Sequence, residues 1–169
     1  KEITFGNPPR IVVIIGLRQT GKSTLARSIC EGRNYKLFNF ELASDCRNFL
    51  DQNRHSLENF ANLYKDQIIV IDEIQKLSEA TSIIKHLFDN YKMRFILTGS
   101  SEFKIKRHLG DSLVGRTRTF KLYPLSLNEI LIQSGKIKKG ESLDFEYSQV
   151  ELQKSLVYGS LPEIYNLQN

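Results

Sequence analysis

Residues 11–23 read IVVIIGLRQTGKS. The aliphatic run Ile11 to Ile15 is typical of a strand that is covered on both faces of a parallel sheet, and we predict this strand over 10–15. A glycine-bounded loop follows, and from Lys22 the spacing of apolar side chains predicts an amphipathic helix to about Glu31. A strand, a loop and a helix in this order predict the first unit of an α/β fold.

The loop of this unit fits the pattern G-x-x-x-x-G-K-[ST] between a strand and a helix. A glycine-rich turn lets successive backbone N–H groups point into one concavity, and the positive end of the following helix attracts phosphate. The pattern predicts that Lys22 reaches the β- and γ-phosphates of a nucleotide and that Ser23 binds Mg²⁺. Arg18 is expected to face either the nucleotide or a partner, and a solvent-facing arginine is the alternative. The predicted nucleotide-binding residues are Gly16, Leu17, Arg18, Gln19, Thr20, Gly21, Lys22, Ser23 and Thr24.

Two adjacent carboxylates end the next strongly apolar strand, which we predict over 67–72. Consecutive side chains on a strand point to opposite faces, so Asp72 and Glu73 have different roles unless the strand is already turning into a loop. We predict that Asp72 holds the Mg²⁺ shell through water. Glu73 is predicted to orient and deprotonate the water that attacks the γ-phosphate.

A third polar segment follows a predicted strand over 94–98. If this strand lies between 10–15 and 67–72, its carboxyl end opens onto the crevice where open α/β sheets bind ligands. Thr98 or Ser100 would then contact the γ-phosphate or the attacking water. An ordinary polar turn is the alternative.

The remaining patterns continue the alternation of strands and helices. They predict strands over 36–42 and 117–122. Ser44 is predicted to cap one helix whose apolar stripe runs from Leu50 to Tyr64. Further helices are predicted to include 83–91, to run from a Ser126–Glu129 capping box to Gly135, and to run from Ser148 to about Tyr158. We predict an ATPase core over residues 1–135. Residues 136–169 are predicted to be a linker and the beginning of a helical lid or C-terminal region.

Composition limits the class of protein. The 169 residues, 40% hydrophobic and 25% charged, suit one compact domain with at most a small appendage. The longest apolar runs are far shorter than the ~20 residues of a membrane span, so we expect a cytoplasmic protein without membrane contact. Cys30 and Cys46 are too few for a disulfide scaffold and are expected to be reduced core thiols.

The net charge of +5 is concentrated in residues 91–121, which hold eight basic side chains against two acidic ones. Such a stretch is able to contact nucleic-acid phosphates or an acidic protein partner, and a solvated basic face is the alternative. The basic residues are Lys92, Arg94, Lys104, Lys106, Arg107, Arg116, Arg118 and Lys121.

The order of these motifs resembles that of a group of prokaryotic predicted AAA-type (AAA+) P-loop ATPases. The motifs are the glycine loop with Arg18-Gln19, Asp72-Glu73-Ile74-Gln75, Leu97 to Ser101, Gly115-Arg116, Leu122 to Ser126 with Glu129, and Gly159 to Glu163. The resemblance covers nearly the whole chain. It implies a three-layer P-loop NTPase core whose parallel sheet has the strand order 5-1-4-3-2, followed by the start of a helical C-terminal lid.

The same resemblance implies a C-terminal region of poorly known function, which we do not expect within these residues. It also implies that Arg116 is a candidate arginine finger, a catalytic residue that acts on the nucleotide of a neighbouring subunit in a homo-oligomer. The alternative for Arg116 is a salt bridge at the start of the fifth strand.

We therefore expect Mg²⁺-dependent ATP hydrolysis that drives or times a conformational change, with DNA or a protein as partner. A nucleotide-gated binding module without catalysis is one alternative. A small P-loop kinase is another, although Glu73 beside Asp72 favours water over a second substrate as the acceptor. The sequence has no Asn-Lys-x-Asp segment of the kind that reads guanine, so ATP is expected rather than GTP.

Overall fold

The computed structural model describes residues 9–100, 113–138, 149–150, 152–153 and 159–162, without the side chains of 52–55. The chain divides into two compact units. One unit comprises residues Lys1–Gly16 and Lys22–Lys121, and the other comprises Leu17–Gly21 and Leu122–Asn169. The boundary that we predict at residue 135 stays a prediction.

The first unit is built on a five-stranded parallel sheet. Its strand order, β2-β3-β4-β1-β5, is the order 5-1-4-3-2 read from the other edge, so the predicted α/β fold is confirmed. The strands are β1 (Ile11–Gly16), β2 (Tyr35–Asn39), β3 (Ile68–Asp72), β4 (Arg94–Gly99) and β5 (Thr117–Leu122).

The three central strands are apolar because helices cover both faces of a parallel sheet. All five residues of β3 are buried, as are the first five of β1 and the last five of β4. The helices of this unit are α1 (Lys22–Ile29), α2 (Ala43–His55), α3 (Leu57–Tyr64) and α4 (Ala80–Tyr91). A single 3-10 turn, Ile74–Lys76, follows β3.

An aromatic cluster fills the core between β2 and the helices α2 and α3. It consists of Phe38, Phe40, Phe49, Phe60 and Tyr64, whose neighbouring ring centroids lie 4.8–6.5 Å apart. Most of these pairs meet edge to face, the arrangement that the ring quadrupoles favour. The cluster anchors the edge strand β2 beside β3 and thereby supports the strand that carries Asp72.

The predicted cap at Ser44 is wrong. Helix α2 begins at Ala43 with Leu42 at the N-cap, and no side chain caps it. The single helix expected here is two helices, because Ser56 has an extended backbone and its hydroxyl accepts a hydrogen bond from Asn59 N. A serine that caps a helix interrupts the one before it, because the N-cap residue is not helical.

The second unit contains the helix α5 (Leu127–Gln133). The predicted capping box is confirmed: the Ser126 hydroxyl accepts from Glu129 N, and the Glu129 carboxylate accepts from Ser126 N. Leu125 N donates to Ser160 O at 2.8 Å, which ties residues 159–162 to the start of this helix. Of the helix predicted from Ser148 to about Tyr158, residues 149–150 and 152–153 are described and are helical, and the others lie outside the described residues.

Cys30 and Cys46 are both free thiols, as expected, and burial raises the pKa of each. Across the described ranges, no helix has the length and apolar character that crossing a membrane requires.

Candidate functional site

The site lies at the carboxyl edge of the central strands, where β4 separates β1 from β3. Ile14 pairs with Thr98 across β1 and β4, and Ile71 pairs with Leu97 across β3 and β4. This register puts the next residues, Asp72 and Thr98, side by side. The condition that we attached to the Thr98 and Ser100 hypothesis, a β4 strand between β1 and β3, is therefore met.

Asp72 is held from two directions. Ser23 Oγ donates to Asp72 Oδ2 at 2.6 Å, and Thr98 Oγ1 donates to Asp72 Oδ1. The Asp72 side chain is thus fixed between the start of α1 and the end of β4, and Asp72 is only 9% exposed. Ser23 and Asp72, which we predicted as the two magnesium-binding residues, are in direct contact across 49 positions of sequence.

Glu73 marks the point at which the strand becomes a loop. Its φ of 56° and ψ of 50° are left-handed, a conformation that a residue other than glycine adopts only when its surroundings impose it. The Glu73 N–H donates to Thr98 Oγ1 at 3.3 Å, which is one of those constraints. The strict alternation of side chains along β3 therefore ends at Asp72, and the two carboxylates have separate sets of partners.

The Glu73 carboxylate lies in a closed triangle of hydrogen bonds. Ser100 Oγ donates to Glu73 Oε2 at 3.0 Å, and Gln75 Nε2 donates to the same oxygen. Gln75 Nε2 also donates to Ser100 Oγ at 3.2 Å. Among the described residues none donates to Glu73 Oε1.

These contacts distinguish the two polar candidates at the end of β4, Thr98 within the strand and Ser100 directly after it. Thr98 is completely buried and bonds to Asp72 and to the backbone of Glu73, whereas Ser100 is half-buried and bonds to the Glu73 side chain. Their catalytic roles stay predictions. The geometry makes Thr98 a support for both acids and makes Ser100 the candidate nearer to the Glu73 carboxylate.

We expect Thr98→Val to lower the free energy of unfolding by about 1–3 kcal/mol, because it leaves a buried carboxylate oxygen and an N–H without their partner. Urea unfolding monitored by circular dichroism measures this change. The matched control is Thr81→Val on α4, because the Thr81 hydroxyl is buried and has no hydrogen-bond partner among the described residues. Its stability should be unchanged or higher, and equal losses in the two variants would contradict the support role of Thr98.

The glycine loop, Leu17–Gly21, joins the end of β1 to the start of α1. Gly21 has a φ of +88°, which side chains other than glycine rarely adopt. Within the loop, Thr20 Oγ1 donates to Leu17 O at 2.8 Å, while Leu17 itself is 63% exposed. The sequence pattern and the backbone agree on a tight, glycine-dependent turn before a helix.

The donor set of Ser23 and Asp72 in the first unit suits a magnesium nucleotide. Mg²⁺ prefers oxygen ligands and usually binds through one or two protein groups together with substrate phosphates and water. Ser23 and Asp72 supply a hydroxyl and a carboxylate in contact with each other. Lys22, a buried lysine at the first position of α1, adds a positive charge next to Ser23 in the chain.

Arg116 lies away from this edge. Its carbonyl accepts a hydrogen bond of 2.8 Å from Ile11 N at the opposite end of β1, and ~17 Å of strand separates the two ends at ~3.3 Å per residue. The Arg116 guanidinium forms a bidentate ion pair with Asp89 on α4, with Nε–Oδ1 and Nη2–Oδ2 distances of 2.7 and 2.8 Å. These hydrogen bonds from Arg116 hold the pKa of the Asp89 carboxyl below its usual range.

The salt bridge that we kept as the alternative for Arg116 is thus present. The arginine-finger role stays a prediction, and the position of Arg116 limits that role to the nucleotide of another subunit.

The basic stretch 91–121 is described only in part. Lys104, Lys106 and Arg107 lie outside the described residues, and Arg116 is paired with Asp89. The guanidinium of Arg118 lies 5.2 Å from the centre of the Phe120 ring on the edge strand β5. Binding of DNA or a protein to this stretch stays a prediction.

Two partners of candidate residues, one in the site and one away from it, could not be predicted with certainty from the sequence alone. In the sequence, Gln75 stands out only as part of the motif Asp72-Glu73-Ile74-Gln75, although its position two residues after Glu73 is a usable signal once the strand ends there. Asp89 was not singled out, because a lone acid on an amphipathic helix carries no signal of a partner 27 residues away.

The chain matches one protein-family model and several known proteins. A family model described as "AAA domain" matches residues 8–131. An uncharacterized protein of Haemophilus influenzae is 26% identical over 175 residues, which cover 96% of this chain and 42% of that protein. An uncharacterized protein of Methanocaldococcus jannaschii is 29% identical over 194 residues, covering 92% of this chain and 40% of that protein.

A third relative is the replication factor C small subunit of Sulfolobus acidocaldarius, 24% identical over 159 residues, with 88% of this chain and 48% of that protein covered. The chain thus spans less than half of the length of each of these three relatives.

Proposed function

Because the chain belongs to the AAA domain family, which supports an ATPase-like nucleotide-binding function, we propose that it binds ATP with Mg²⁺ and hydrolyses the terminal phosphate. The observation that carries this proposal is the 2.6 Å hydrogen bond from Ser23 to Asp72, with Glu73 immediately beyond. This contact brings a helix-start hydroxyl and two strand-end acids to one place.

Each residue has one task in this proposal. The loop 16–21 and Lys22 bind the phosphates through backbone N–H groups and one cation. Ser23 and Asp72 offer oxygen ligands, and because the Ser23 proton is donated to Asp72, the lone pairs of Ser23 remain available to a cation. When bound, Mg²⁺ neutralises charge on the phosphate oxygens. Glu73 orients a water and accepts its proton, which favours hydrolysis over transfer to a second substrate.

The test of this proposal is phosphate release from ATP by the complete protein, with magnesium and with EDTA, and with GTP in place of ATP. We expect turnover with magnesium and ATP that EDTA abolishes and that GTP supports poorly. Tight ATP binding without any turnover would instead favour a nucleotide-gated module that acts by changing shape.

The proposal extends to a homo-oligomer in which Arg116 leaves Asp89 and contacts the nucleotide of a neighbour. Its support is the distance of Arg116 from the site of its own chain. Mixing inactive Arg116→Ala subunits with inactive Glu73→Gln subunits should then restore some turnover, because a mixed interface holds one intact arginine and one intact base. Oligomers that form but show no rescue would refute the finger.

A partner for the ATP cycle is also a proposal. The excess of basic side chains over 91–121 supports an acidic partner such as DNA, and stimulation of turnover by added DNA is the measurement that tests it. Conformational work on that partner and a cytoplasmic location stay predictions.

A further inference from the structure

Gln75 donates a hydrogen bond to the Glu73 carboxylate, and it has no part in the function proposed so far. It lies in the 3-10 turn Ile74–Lys76, directly after β3. Ile74, which is 2% exposed, anchors this turn in the core. The Gln75 side chain therefore extends from a fixed backbone and returns to Glu73 two residues earlier.

The chemistry of the triangle determines which end of the Gln75 amide faces Glu73. An ionised carboxylate only accepts hydrogen bonds, so it must meet the NH₂ group of the glutamine and not its carbonyl. The two N–H bonds of that group then have two acceptors, Glu73 Oε2 and Ser100 Oγ. Ser100 in turn donates its proton to Glu73 Oε2.

The carbonyl end of the Gln75 amide indicates which half of the side chain is useful at this position. Gln75 Oε1 is buried and has no hydrogen-bond partner in the part of the chain that the structure describes. A buried carbonyl without a partner is unfavourable, and an apolar side chain of the same length would avoid that cost. Packing alone thus does not favour glutamine here, and the donor half of the amide is the useful half.

From these contacts we propose that Gln75 is a positioning residue for hydrolysis, which holds Oε2 of Glu73 so that Oε1 faces the attacking water as the base. This inference rests on the proposed function. Gln75 and Ser100 both bond to one oxygen, which leaves the other oxygen free of protein donors among the described residues. A base that is held by one oxygen keeps its orientation while the other oxygen accepts a proton.

The first experiment measures steady-state ATP turnover in the complete protein for Gln75→Met, Glu73→Gln and the double variant. Methionine keeps the length of the side chain and removes the donor. We expect Gln75→Met to lower kcat by about 10- to 100-fold at an unchanged KM, because a misplaced base slows the chemical step and not binding. In the Glu73→Gln background the same substitution should have no further effect, because Gln75 acts only through Glu73.

The matched control is Gln67→Met, the same substitution at the opposite end of β3. Gln67 is half-buried like Gln75, and it precedes the strand instead of following it. Its kcat should equal that of the parent protein. Melting temperatures of all variants separate a loss of positioning from a loss of folding.

The second experiment needs neither nucleotide nor a variant of Gln75. In the NMR spectrum of the protein labelled with ¹⁵N-glutamine, the side-chain amide signal of Gln75 should move when Glu73 is changed to Gln. The Gln67 signal should stay in place. A Gln75 signal that stays in place when Glu73 is changed would show that the triangle of hydrogen bonds is absent in solution, and this result would overturn the inference.

The outcomes separate the two proposals. Parental or increased turnover in Gln75→Met beside an inactive Glu73→Gln overturns the positioning role alone. An equal loss from Gln75→Met in both backgrounds also overturns it, because Gln75 would then act independently of Glu73. A parent protein without magnesium-dependent turnover overturns the proposed function and this inference with it.

Discussion

Replacing Lys22 with alanine is expected to abolish nucleotide binding at micromolar ATP. Lys22 is 5% exposed and starts α1, so its charge is held at the helix end instead of moving freely in solvent. Truncating one partner of a buried charged pair costs about 2–5 kcal/mol, which corresponds to a loss of about 30- to 4,000-fold in affinity. Titration with a fluorescent ATP analogue measures this loss.

One further variant separates the charge of Lys22 from its packing, and another serves as a control. Lys22→Met keeps most of the apolar stem and should lose affinity to the same extent. Lys65→Ala, at the exposed C-cap of α3, removes a lysine elsewhere on the same unit and should bind ATP like the parent. Parental affinity in Lys22→Ala would show that the loop does not bind phosphate in the manner proposed.

Changing Glu73 to glutamine should stop turnover while ATP stays bound. The substitution keeps the shape and length of the side chain, and the glutamine carbonyl still accepts hydrogen bonds from Gln75 and Ser100. It removes the basic oxygen, and general-base catalysis contributes about 10²- to 10⁴-fold to rate. We expect a loss of that size in kcat, measured by phosphate release, with unchanged affinity in the binding titration.

The control for Glu73 is Glu79→Gln, six residues further along the chain. Glu79 is exposed at the N-cap of α4, and its side chain makes no capping hydrogen bond. Its turnover should match the parent. A Glu73→Gln variant that hydrolyses ATP at the parental rate would exclude Glu73 as the base, whereas a joint loss of binding and turnover would indicate a structural role.

Local patterns predicted most of the fold because they depend on residues close in the chain. The aliphatic runs before Gly16 and Asp72 have one stable environment, the middle of a covered parallel sheet. The Ser126–Glu129 spacing predicted its capping box correctly because every atom of that motif lies within one helical turn. The predicted cap at Ser44 is wrong because many serines have the right spacing, and packing decides which one begins a helix.

The choice between Thr98 and Ser100 depended on tertiary structure. Thr98 lies in β4 and Ser100 directly follows the strand, and no local pattern says which of the two hydroxyls faces Asp72. The register of β4 against β1 and β3 settles their partners, and register is a property of three strands together. The same argument applies to Arg116, whose pairing with Asp89 requires α4 to pack beside the start of β5.

By itself, the sequence determined the order of the five strands along the chain, the glycine turn before α1 and the identity of the two acids at the end of β3 and directly after it. These features follow from side-chain size, periodicity and backbone freedom, which act over a few residues. Only the tertiary structure decided that Ser23 meets Asp72, that the backbone turns left-handed at Glu73, and that Gln75 and Ser100 hold the same carboxylate oxygen. Such contacts are made between separate elements, and their geometry exists only once the sheet has assembled.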